Sequence, residues 1–156
     1  MTKLKRMLIL AAALAIFAEA TVPAIASHID QFKAVGGLSV YLGILPAEIV
    51  RGHSPEHPEG VMHGGAPSGK KYSHVVVAVF DTKTGKRVAD AEVVARVAEI
   101  GLAGEKKKLE AMKIADTVTY GNYFRMTAKG PYRISVEIRP AGATRPLLVE
   151  FEYQHH

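Results

Sequence analysis

The chain has 156 residues, 48% of them apolar, no Cys, no Trp and a formal charge of +5. That length fits one domain, and the charged fraction of 22% is ordinary for a folded protein. Without Cys there can be no disulfide framework, thiolate zinc site, iron–sulfur cluster or Cys nucleophile.

Lys3, Lys5 and Arg6 precede an apolar run over residues 7–18. That run is too short for a bilayer span, which needs about 20 apolar residues. Ala24-Ile25-Ala26 follows, a small-x-small triplet of the kind signal peptidase cuts. Residues 1–26 therefore read as a secretory signal peptide, and residues 27–156 as a single exported domain, placed in the periplasm. Without Lys3, Lys5, Arg6 and Glu19 the formal charge falls to +3. So weak an imbalance argues against a nucleic-acid partner.

Residues 38–45 (LSVYLGIL) read as a first strand, ended by Pro46. Residues 50–71 are rich in Gly, Pro and His and lack periodicity, which predicts a long loop of the sort that usually carries function. Residues 72–80 (YSHVVVAVF) form a near-continuous β-branched run, the pattern of a central buried strand. Residues 81–86 supply hairpin chemistry, with Gly85 available for a positive φ. Residues 91–98 read as another strand, and 101–108 as a solvated loop holding Lys106, Lys107 and Lys108. Two short extended pieces over 109–114 and 117–120 lead to a turn at Gly121-Asn122 and a further piece over 123–127. Residues 132–139 (YRISVEIR) and 147–153 (LLVEFEY) alternate cleanly, and 140–146 link them. About seven short strands at roughly 8–12-residue spacing predict an all-β fold, an immunoglobulin-like antiparallel β-sandwich, with a small β-barrel as the rival.

His53, His57, His63 and His74 crowd the loop and the strand after it, with Met62 beside His63. Imidazole suits copper, zinc, iron and nickel, and thioether suits Cu(I), so His and Met without Cys fit a copper site. Pro55 and Pro58 argue against a helical clamp at His53 and His57. Met112 and Met126 read as sandwich core, with thioether donation as their other use. His155 and His156 extend a metal surface or fray. A Gly-x-Ser-x-Gly elbow, a His-Glu-x-x-His helix and a phosphate loop are all missing, so no enzyme is expected.

Segment order resembles the periplasmic iron-transport accessory family, small exported immunoglobulin-like proteins that bind copper or ferrous iron beside a membrane iron permease. The matching pieces are Val40-Tyr41-Leu42 before a Pro, a His entering a long strand, residues 81–86, and Thr119-Tyr120-Gly121 with Met126 after it. Residues 130–140 and 149–153 close the match. The resemblance implies metal ligation by His63 and His74, a His where Thr119 stands, and a Met within 92–98, where there is none. Residues 124–132 also look like the last hairpin of exported modules that handle copper for oxidase assembly. The expectation is an exported transition-metal binder, copper first and iron second, through His53, His57, Met62, His63 and His74. A permease or an oxidase assembly factor would be its partner, and a homodimer would be an available state. The competing expectation is a metal-free module that docks on another envelope protein.

Overall fold

The computed structural model describes residues 31–51, 64–114 and 116–156. Eight antiparallel strands and one short helix follow in chain order: β1 (Phe32–Val35), β2 (Leu38–Pro46), α1 (Ala47–Arg51), β3 (Tyr72–Asp81), β4 (Glu92–Glu99), β5 (Glu105–Ile114), β6 (Thr117–Arg125), β7 (Gly130–Arg139) and β8 (Leu147–His155). They pair in the order β1-β2-β3-β6-β5-β4-β7-β8. The first half of β5 pairs with β4 and its second half with β6, so one strand belongs to two sheets. No helix among the described residues is long and apolar enough to cross a membrane.

The core lies between the sheets. Val40 and Leu42, Val75, Val77 and Val79, and Phe124 face Val93 and Ala95, Ile134, Val136 and Ile138, and Phe151. Alternation in the sequence dictates this: each named set recurs at every second position, so one face of each strand is apolar. Tyr120 is buried among them, and its hydroxyl accepts from Ala91 N at 2.9 Å and donates to Val88 O at 3.1 Å. That pair of bonds pins the crossover between the sheets, and burial pushes the Tyr120 phenol above its ordinary value. The all-β reading and most strand positions therefore stand.

Four local expectations change. A strand, β1, precedes the one read as first, joined by Gly36 and Gly37, both at positive φ (53° and 82°). A Cβ on Gly36 would sit 2.7 Å from Leu147 of β8, so the turn needs glycine to approach the far edge of the other sheet. Residues 81–86 do form a tight turn, in which Asp81 Oδ1 accepts from Lys83 N, Thr84 N and Thr84 Oγ1. After a single bridge from Arg87 to Phe80, the chain crosses to the second sheet, so the turn does not close a hairpin of two long strands. Lys106, Lys107 and Lys108 lie in β5 and not in a loop. Lys106 pairs with Glu137 at 2.7 Å and Lys107 with Glu105 at 2.8 Å, which lets a charged segment run as a strand. Gly121-Asn122 is no turn but the middle of β6, flanked by Val76 of β3 and Glu110 of β5.

Candidate metal centre

Register fixes which side chains share the outer face of the first sheet. Val75 and Val77 point into the core, so His74 and Val76 of β3 point out; Tyr120 and Phe124 point in, so Gly121 and Tyr123 of β6 point out. His74 lies opposite Tyr123, Glu110 opposite Gly121, and Met112 opposite Thr119. His74, Met112 and Glu110 thus share one face around Gly121.

An outer face is ordinarily wet, yet His74 and Met112 are each only 1% exposed. Three features cover them. The Tyr123 ring stacks on the His74 imidazole, centroids 4.6 Å apart and planes 26° apart. Ala47 and Val50 of α1 pack on Tyr123 in a small second cluster completed by Ala66 and Tyr72. Gly121 leaves the remaining space, into which both side chains lean: a Cβ there would lie 2.7 Å from His74 Nε2, 2.6 Å from Met112 Cε and 3.1 Å from Met112 Sδ. An imidazole nitrogen and a thioether sulfur therefore both crowd the space over one glycine, carried by three adjacent strands. Lys107 adds support from the side: its ammonium donates to Tyr123 O at 2.7 Å and lies over the Phe124 ring.

This donor set fits a copper ion. Nitrogen with thioether sulfur suits Cu(I) and, with carboxylate help from a residue such as Glu110, Cu(II). Among the described residues no three His, Asp or Glu side chains gather into a metal cage.

His74 is the one residue of the expected set within the described structure, and it lies in the buried outer-face position above. His53, His57, Met62 and His63 lie outside the described residues. The residues on either side of that segment are tied together, since Arg51 Nη1 donates to Pro67 O, and α1 rests on Tyr123. Met126 belongs to the core cluster, as its core reading expects, whereas Met112 belongs to neither cluster and lies against Gly121. The signal for Met112 was in the sequence: it follows the core residue Leu109 by an odd number of positions, so the two cannot share a face of one strand. Its partner across the ladder is Thr119, the position where the resemblance implies a His. His155 is held structurally, its Nδ1 donating to Ala128 O at 2.9 Å and its ring set edge-on to Tyr132.

A two-sheet β fold with a His/Met pair on one outer face is the class of molecule these observations define. No protein-family profile matches the chain, and no curated protein does. Solved structures do match. Copper-reconstituted P19 from Campylobacter jejuni is 13% identical, with 81% of this chain and 94% of that one covered and a TM-score of 0.60. A copper-bound variant of FetP from uropathogenic Escherichia coli is 16% identical, covering 80% and 93%, with a TM-score of 0.58. A DUF4426 family protein from Pseudomonas aeruginosa is 17% identical, covering 80% and 92%, with a TM-score of 0.58. P19 and FetP answer to the resemblance drawn from the sequence, and the fold is shared.

Proposed function

We propose that this chain is an exported, periplasmic protein that binds a transition metal, copper first and iron second, for uptake or delivery, and that it is not an enzyme. The convergence of His74 Nε2 and Met112 on the space over Gly121 carries this reading. Copper in two solved structures of the same fold supports it. In this reading His74 and Met112 are the fixed donors and Glu110 offers a carboxylate oxygen from the opposite strand. His53, His57, Met62 and His63 supply the rest from a segment whose flanks are tied beside Tyr123. Donors divided between neighbouring strands and a separate stretch of chain suit a site that gives its metal up to a partner such as a membrane permease. Thioether ligation biases the site toward Cu(I).

Metal retention by the purified protein after incubation with Cu(I), Cu(II), Zn(II) and Fe(II) tests this. Stoichiometric copper is expected, weakened at least about tenfold by His74→Ala and by Met112→Leu, which is about 1.4 kcal/mol of binding. Replacing His57 and His63 together with Ala should lower it further while the fold is kept. Because imidazole binds metal only when neutral, affinity should fall as pH drops through about 6.5. Copper retention that ignores both His74→Ala and Met112→Leu would sink the reading.

A further inference from the structure

The same outer face carries a second feature, at the opposite end of β3. Phe80 lies six residues from His74, about 20 Å along the strand at the usual rise. There a cleft of about 480 Å³ opens among Ser39, Tyr41, Phe80, Asp81, Thr82 and Arg87, within the size range of small-ligand sites. One wall is aromatic: Tyr41 and Phe80 meet edge to face at 5.6 Å, and Phe32 extends the wall against Tyr41 at 4.9 Å. Phe32 and Tyr41 are 44% and 46% exposed, an unusual outlay of ring surface to water for a small protein.

The polar groups around this wall are balanced. Arg87 lies over the Phe80 ring at 4.5 Å and donates from Nη1 to Val118 O, which leaves further guanidinium N–H donors. Asp81 takes its turn contacts on Oδ1, which leaves Oδ2 as an acceptor. Ser39 and Thr82 pair their hydroxyls at 3.1 Å, and each hydroxyl can both donate and accept. One cation beside one anion gives little net field, so neither an anion nor a cation is selected. A charged planar donor, a charged planar acceptor, two hydroxyls and a ring face together match a molecule that is hydroxylated on its rim and has C–H bonds on its faces.

We propose that this cleft binds a neutral saccharide, its ring lying on the exposed face of Tyr41, beside the Phe80 ring that Arg87 covers, and its hydroxyls bonded by Arg87, Asp81 and the Ser39–Thr82 pair. C–H groups with partial positive charge settle on the negative face of an aromatic ring. The site shares no residue with the His74–Met112 centre, so it stands or falls apart from the metal reading.

NMR titration of the purified protein with methyl glucoside and N-acetylglucosamine, against glucuronate and glucosamine as charged analogues, tests the proposal. Saturable shifts in the ring resonances of Tyr41 and Phe80 are expected with a neutral sugar at millimolar concentration, and weaker ones with both charged analogues. Tyr41→Ala should weaken binding about tenfold, the scale of one aromatic contact, while Tyr41→Phe keeps it and both variants retain copper as the parent does. No saturable shift with either neutral sugar, or equal binding of a charged analogue, would overturn the proposal. So would indifference to Tyr41→Ala in a folded variant; should that variant not fold, the parent titration decides alone.

Discussion

Met126 and Met112 are equally buried, at 1% exposure each, but Met126 lies in the core between the sheets and Met112 on the outer face of β5. Met126 is covered because a second sheet packs on it, and its sulfur is one more filler among valines, isoleucines and aromatic rings. Met112 is buried on the outer face, where Gly121 makes room for it beside His74, whose ring Tyr123 and the α1 cluster cover. The first kind of burial is redundant: many side chains share it. The second lies outside both apolar clusters, and it brings a nitrogen and a sulfur to the same space over Gly121. Burial alone therefore does not separate a thioether that fills the core from one placed beside an imidazole; the face of the strand does.

Breaking the inner face should cost the most. Phe124→Ala removes a fully buried ring from the shared core and should destabilise by about 3–5 kcal/mol in denaturant unfolding. Copper retention would then be lost only where the protein unfolds. On the outer face, Gly121→Ala puts a methyl group where His74 Nε2 and Met112 Cε now sit within 2.7 Å. A cost of about 1–3 kcal/mol is expected, with copper affinity falling while the fold persists. The backbone at Gly121 has no positive φ, so the effect would come from the filled space and not from strain. Methionine swaps sharpen the contrast further. Met126→Leu and Met112→Leu should each change stability by less than about 1.5 kcal/mol, yet only Met112→Leu should weaken copper. Equal copper loss from both would erase the distinction between the faces.

The smallest effect concerns the turn at the end of β3. The Thr84 hydroxyl, then the Thr84 amide, hold the Asp81 carboxyl below its ordinary value of 3.8. A carboxyl lowered in the folded state stabilises above its unfolded value, and that contribution fades as pH falls through the folded one. Asp81→Ala should therefore lower the unfolding midpoint modestly at pH 7 and leave it unchanged near pH 2. A difference that persists in acid would assign the effect to packing.

The sequence was most legible where alternation was clean. Residues 132–139 and 147–153 announced β7 and β8 because their apolar positions recur at every second residue, and residues 72–80 announced β3 by a near-continuous β-branched run. It was least legible where a side chain does something other than fill the core. Lys106–Lys108 looked like loop because three adjacent charges seldom form a strand, yet they pair along β4, with Glu137 and Glu105 meeting two of the charges. Gly121-Asn122 looked like a turn because glycine and asparagine favour turns. In fact Gly121 is in β6 to leave space, and Asn122 spends its side chain on Lys108 O at 2.8 Å. Both misreadings fall on strands that build the candidate site, where local preference yields to what the neighbouring strands require. His74 was legible as a candidate because a histidine is conspicuous in a run of valines. Met112 became one only once its face was known.

A sandwich usually opens along the seam between its sheets, but here β5 is stitched into both, its first half to β4 and its second to β6. Neither sheet can swing away without tearing that strand. Amide protons of β5 should accordingly exchange with solvent only when the whole molecule opens, while those near the edges, in β1 and β8, exchange through smaller fluctuations. Met112 thus rides on the least separable element of the molecule, so a cargo held there would leave by the surroundings loosening and not by the strand giving way.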